Sequence, residues 1–134
     1  MIVDHIGYAV KDINKARAEF EKLGYSFEEL VEDIDRNLCV QFGNNGSFRI
    51  ELLQTLDSEQ ESPVTGILRK NGPAPYHICY KTNNIEMAID NLKKNKWVVV
   101  HQPARAIAFD KNKIVRVAFL LHRHLGMIEL VEII

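Results

Sequence analysis

The 134 residues suffice for one compact domain, or for two small modules sharing a core, and 46% apolar against 26% charged residues is an ordinary globular balance. A formal net charge of −1 gives no support to nucleic-acid or polybasic-membrane binding, and no apolar run nears the roughly 18 residues of a membrane span. Cys39 and Cys79 stand in separate strand-like runs without CxxC spacing, so a reducing cytoplasm is the expected setting.

The chain enters an apolar strand over residues 2–10 at once, with no basic stretch ahead of an apolar signal segment, so a soluble intracellular domain is expected. Asp12 suits an N-cap, and Ile13, Ala16, Phe20 and Leu23 then recur at helical spacing until Gly24 stops the helix. Three shorter strand-like runs follow at 26–31, 38–42 and 48–53, and Gly43-Asn44-Asn45-Gly46 is a strong hairpin signal. Residues 55–75 connect the halves, with Ser62-Pro63 opening a short helix that Asn71-Gly72-Pro73 closes.

The same grammar then returns. Residues 76–82 read as a strand, Asn84 as a cap, and Ile85, Ala88, Ile89 and Leu92 as the buried stripe of a helix. Strands are predicted at 97–101, 115–121 and 127–133, with a weaker turn at Asp110-Lys111-Asn112-Lys113. At an offset of 72, Asp4-His5-Ile6-Gly7-Tyr8 becomes Tyr76-His77-Ile78-Cys79-Tyr80, and Ile13-Asn14-Lys15-Ala16 becomes Ile85-Glu86-Met87-Ala88. The tails rhyme as well, Arg49-Ile50-Glu51-Leu52-Leu53 against Met127-Ile128-Glu129-Leu130-Val131. The expected organisation is therefore two βαβββ modules, 1–54 and 76–134, joined by the connector 55–75. One such unit is too small to bury both faces of its sheet, so the two should pair. Each module opens on a histidine and ends on a glutamate, which invites a metal reading.

A paired βαβββ chain that opens Asp-His-Ile-Gly-Tyr-Ala-Val-Lys-Asp-Ile resembles the vicinal-oxygen-chelate (glyoxalase/bleomycin resistance/dioxygenase) superfamily. Ile50-Glu51-Leu52-Leu53 ahead of the Ser62-Pro63 helix, Tyr76-His77-Ile78-Cys79-Tyr80, Val117-Ala118-Phe119-Leu120 and Ile128-Glu129-Leu130-Val131-Glu132 extend the likeness along the chain. Within the superfamily the resemblance is nearest to the methylmalonyl-CoA epimerases, with glyoxalase I (lactoylglutathione lyase) next. It implies an α+β fold in which paired βαβββ modules form an incomplete, barrel-like mixed sheet, and a homodimer. The metal ligands it implies are His5, Glu51, His77 and Glu129, holding a divalent ion such as Co²⁺, Ni²⁺, Mn²⁺ or Zn²⁺.

Four protein ligands on an octahedral ion leave two positions for water or substrate oxygens, and Glu129 or Glu51 could serve as the base that takes a proton beside a carbonyl. The implied partner is a small-molecule carbonyl or thioester substrate. Many epimerases have glutamine as the second ligand, whereas bacterial glyoxalase I has a His/Glu/His/Glu set, so the ligands do not separate the two activities. The epimerases' glycine-rich stretch and His-Pro-Lys element are replaced here by residues 106–110 and by Leu121-His122-Arg123-His124. No carboxylate occupies 38–41, where some epimerases carry a second acid, and the glyoxalase Asp-Pro-Asp-Gly tail is missing.

Blander readings stand beside these. A strand histidine can be satisfied by a backbone carbonyl, and a strand glutamate can be a solvated charge on an outer face. His101, His122 and His124 have no counterpart in the other half and read as rim residues; Cys39 and Cys79 read as core fillers. Arg105, Lys111, Lys113, Arg116 and Arg123 could meet a CoA phosphate or simply be solvated. A non-catalytic, small-molecule-binding member of the superfamily is a further alternative.

Overall fold

A computed structural model describes residues 1–106 and 114–133. Among them the order is β1 (Ile2–Ala9), α1 (Ile13–Glu21), β2 (Ser26–Phe27), β3 (Val31–Asp33), β4 (Leu38–Asn44), β5 (Arg49–Thr55), α2 (Thr65–Asn71), β6 (Ala74–Lys81), α3 (Ile85–Lys93), β7 (Val98–Arg105), β8 (Val115–His122) and β9 (Gly126–Ile133). No helix among the described residues is long and apolar enough to cross a membrane. The chain divides into two compact units, His5–Tyr76 and Met1–Asp4 with His77–Ile134.

In the first unit the strand order is β2-β4-β5-β1, with β3 also on β4. β1 runs parallel to β5 and the other pairings are antiparallel, so the sheet is mixed. Helix α1 starts where the sequence places it: the Asp12 side chain accepts from the Lys15 amide at 3.1 Å. Ile13 packs with Val10, Ile50 and Leu52, and Ala16, Phe20 and Tyr25 close over that cluster. Leu23, predicted on the buried stripe, is exposed, because the helix ends at Glu21 and the chain turns through Gly24 at φ +90°. The β4–β5 turn is held by Asn45, whose Oδ1 accepts from the amides of Ser47 and Phe48, each at 3.0 Å.

The predicted strand over 26–31 is in fact two. Phe27 pairs with Gly43 and Val31 with Val40, so three residues on one side face two on the other, a bulge. Gln41 explains the break: its buried amide donates to the Glu28 carbonyl at 2.8 Å, where a regular ladder would place a backbone donor.

The second unit repeats the plan with the order β6-β9-β8-β7, β6 parallel to β9 and the rest antiparallel. Asn84 caps α3 by accepting from the Met87 amide at 3.0 Å, and Ile85, Ala88 and Ile89 pack on Ala118, Leu120, Ile128 and Leu130. β7 runs on to Arg105, beyond the predicted end at His101. As the outer strand, with register irregularities on either side of His101, it accommodates Pro103. The connector helix starts at Thr65 rather than at Ser62-Pro63, which form a turn before it: the Ser62 amide donates to Thr65 Oγ1 at 2.8 Å. The turn predicted at 110–113 lies outside the described residues.

Arg116 on β8 ties this unit together by reaching Glu86 on α3 and Glu132 on β9. Its hydrogen bond holds the Glu86 carboxyl below the ordinary carboxylate range. A depressed folded-state value means a contribution present above the unfolded value and lost as pH falls through the folded one. Glu86→Gln is therefore expected to be less stable than wild type at neutral pH, with the gap closing as pH falls below the unfolded carboxylate value of about 4.3 in paired denaturant titrations.

Candidate metal centre

The four side chains singled out by the repeat, His5, Glu51, His77 and Glu129, are all buried, and each offers one ligand atom to a metal ion. Parallel pairing sets the first couple. Gly7 lies in register with Glu51, so His5, two residues earlier on the same face of β1, brings its Nε2 to 3.3 Å from Glu51 Oε1. The second couple repeats the arrangement: Cys79 is in register with Glu129, and His77 Nε2 lies 2.7 Å from Glu129 Oε2.

Strand alternation explains the burial. Ile50 and Leu52 face α1 and Ile128 and Leu130 face α3, so the glutamates between them turn to the opposite face of each sheet. That face is enclosed too: Glu51 is only 7% exposed and Glu129 only 4%. The reading of either as a solvated outer charge is thereby excluded. Taking an uncompensated carboxylate out of water costs several kcal/mol, so each needs a donor or a cation beside it.

Both couples also share an aromatic backing that the sequence repeat, counted at a constant offset, does not reveal. Phe42 is the cross-strand partner of Glu51 and meets the His5 ring edge-on at 5.2 Å; Phe119 is that of Glu129 and meets His77 at 5.5 Å. Three residues beyond each glutamate a second side chain holds the module's helix. Gln54 Oε1 accepts from the Ile13 amide at 2.7 Å and Glu132 Oε2 from the Ile85 amide at 2.8 Å. These fill a helix-terminal donor that would otherwise lack a partner within the helix. They also fix the last strand of each module against the helix that follows its first.

Each couple suits a metal. Two atoms held about 2.1 Å from one ion stand roughly 3.0 to 3.4 Å apart at right-angle or tetrahedral geometry; the 3.3 Å of the first couple falls in that range and the 2.7 Å of the second just below it. Without an ion, the same distances let an Nε2–H donate to the carboxylate.

The remaining residues take lesser parts. His122 packs its ring 4.9 Å from that of Trp97 and its Nδ1 accepts from the His124 amide, while His101 and His124 are exposed. Cys79 is buried and Cys39 half-buried; burial, then the charge of Glu32, pushes the Cys39 thiol up, away from a reactive thiolate. Of the basic residues considered for a phosphate, Arg116 is committed to Glu86 and Glu132, Arg105 and Arg123 are exposed, and Lys111 and Lys113 lie outside the described residues.

Comparison with known proteins supports the same reading of the fold. Residues 4–119 match the sequence model of the Glyoxalase/Bleomycin resistance protein/Dioxygenase superfamily. A mitochondrial methylmalonyl-CoA epimerase of Bos taurus is 34% identical over 111 residues, covering 81% of this chain and 62% of the relative. An ethylmalonyl-CoA/methylmalonyl-CoA epimerase of Cereibacter sphaeroides is 35% identical over 95 residues, 69% of each chain. The chain thus spans under two thirds of the length of the bovine protein. Among solved structures, a Streptomyces coelicolor methylmalonyl-CoA epimerase variant in complex with 2-nitronate-propionyl-CoA superposes with a TM-score of 0.78 at 23% identity, covering 98% of this chain and 96% of that one. The chain belongs to the glyoxalase/bleomycin resistance protein/dioxygenase superfamily.

Proposed function

We propose that the protein is a metal-dependent epimerase acting beside the carbonyl of an acyl thioester, of the methylmalonyl-CoA epimerase type. The observation that carries this reading is the buried His/Glu couple, built twice on the same strand register with the same aromatic backing. His5, Glu51, His77 and Glu129 are taken to hold one divalent cation, Co²⁺, Ni²⁺, Mn²⁺ or Zn²⁺. When bound, such an ion supplies Lewis acidity that makes an enolate accessible from the thioester.

The chain's own residues do the rest. One glutamate, Glu129 or Glu51, accepts the proton from the carbon next to the carbonyl; the other returns a proton to the opposite face, and the configuration inverts. His5 and His77, each pinned between a glutamate and a phenylalanine, keep the carboxylates in place. Phe42 and Phe119 lower the local polarity, so charge developing on substrate is felt more strongly than in water. Relatives named as methylmalonyl-CoA epimerases, and the neighbour's complex with 2-nitronate-propionyl-CoA, support the thioester as substrate class.

The test is incorporation of solvent deuterium at C2 of methylmalonyl-CoA by the Co²⁺-loaded protein. Exchange well above the rate without protein is expected; none would remove the epimerase reading. The second reading is lactoylglutathione lyase, with which the carboxylate rather than an amide at position 51 is equally compatible. Thioester absorbance growing from methylglyoxal and glutathione, with no C2 exchange, would select that activity.

A further inference from the structure

The row of side chains one strand step beyond Glu129 and Phe119 takes no part in the chemistry above. Met127 lies two residues before Glu129 on the same face of β9, and Leu121 two residues after Phe119 on the same face of β8. Leu121 is in register with Met127, and Val98 of β7 continues the row as the cross-strand partner of Leu121. All three are apolar. Met127 is half-buried, Leu121 is 44% exposed and Val98 62% exposed, whereas Glu129 one step away is buried. The other face of these strands is already covered, since Leu120 and Ile128 pack against α3 with Val99 beside them. An apolar strip left open to water and running up to a buried carboxylate marks a place for a ligand. The internal repeat supplies a comparison. In the other unit the residues standing in the same relation to Glu51 and Phe42 are Arg49 and Asn44, also paired in register. The carboxylate, imidazole and phenylalanine behind the two rows are alike, yet one row is polar and the other apolar. The sheet accommodates either kind of row, so folding alone does not call for the apolar one.

Resting on the epimerase reading, we infer that Leu121, flanked by Met127 and Val98, is the specificity-determining residue that receives the 2-alkyl substituent of the thioester, and that substituents longer than methyl fit it best. The carbon that exchanges its proton with Glu129 carries a thioester carbonyl, a carboxylate and an alkyl group. Of these, only the alkyl group gains by leaving water for an apolar strip. Two residues along a strand advance about 7 Å, so a methyl group on a carbon beside Glu129 stops short of the strip, while a butyl chain lies along it. Each methylene so covered is worth about fourfold in affinity. A strip open on one side covers such a chain without enclosing it, so alkyl groups of graded length are accepted rather than one fixed shape.

The experiment measures, by calorimetry, equilibrium binding of racemic methyl-, ethyl- and butylmalonyl-CoA to the Co²⁺-loaded wild type, Leu121→Asn and Leu121→Ala. Asparagine is the residue at the corresponding place in the other unit. The wild type is expected to bind about fourfold more tightly for each methylene added, and so at least tenfold more tightly from methyl to butyl. Leu121→Asn should remove most of that gradient, bringing butylmalonyl-CoA down toward methylmalonyl-CoA, and Leu121→Ala should give a gradient between the two. A flat or inverted gradient in the wild type, or one unchanged in Leu121→Asn, would overturn the assignment. Equal weakening of all three thioesters in Leu121→Asn would place the CoA arm on the strip and overturn it as well. Should Leu121→Asn not fold, an unchanged gradient in Leu121→Ala overturns it and a shallower one supports it. Deuterium exchange at C2 is read on the same samples. A gradient without exchange would sink the epimerase reading and leave the role of Leu121 standing; exchange without a gradient would do the reverse.

Discussion

Glu129→Gln is expected to lower the epimerisation of methylmalonyl-CoA by about 10²- to 10⁴-fold at saturating Co²⁺, the usual worth of a positioned acid–base group. Glutamine keeps the size of the side chain and one oxygen that can still face a cation, but it cannot take up a proton at neutral pH. Glu51→Gln installs the amide that many epimerases have at this ligand position, so a loss of similar size there would mark Glu51 as the second proton-transfer group of this chain. The two variants are expected to differ in one respect: if the glutamates serve opposite faces of the reacting carbon, each retains the ability to exchange one epimer's proton with solvent. Deuterium should then enter one epimer in Glu129→Gln and the other in Glu51→Gln, read by stereospecific analysis of recovered thioester. Wild-type epimerisation in both would contradict the assignment of these carboxylates.

His77→Ala and His5→Ala are expected to abolish tight cation binding. Each substitution removes a nitrogen donor and leaves a buried glutamate beside an empty volume, with its Phe42 or Phe119 backing intact. For the wild type, a free ion at about 1,000 times its dissociation constant adds about 4 kcal/mol to the folded state. For a domain of this length that is a rise in melting temperature of roughly 12 to 20 °C over the chelator-treated protein. Neither histidine variant should show more than a small part of that rise. A full cobalt-dependent shift in either would remove that histidine from the ligand set.

Much of the site was legible because its parts are local and repeated. His5 and His77 open strands of like composition, Asp12 and Asn84 cap the helices as their chemistry dictates, and each glutamate interrupts an apolar run that only a two-faced burial explains. What sequence pattern did not show is set by long-range contact. Gln54 and Glu132 meet helix amides 41 and 47 residues away, and nothing in their neighbours marks them. The break between β2 and β3 comes from one side chain, Gln41, entering the ladder from the facing strand. β7 passes through Pro103 because it is an outer strand, a property of the sheet rather than of the residues around it. Phe42 and Phe119 are 77 positions apart, not 72, so the repeat as counted from the first strand does not align them as a pair.

The central proposal is that the two His/Glu couples share a single ion. Its most direct test is the cobalt content per chain after loading and exhaustive dialysis, by elemental analysis, in the wild type, His5→Ala and His77→Ala. The account predicts one ion per wild-type chain and less than about a tenth of that in either variant, since either substitution removes one of the two nitrogen donors and leaves an incomplete set of three ligands that exhaustive dialysis strips. Two ions per wild-type chain, or one retained after either substitution, would contradict it.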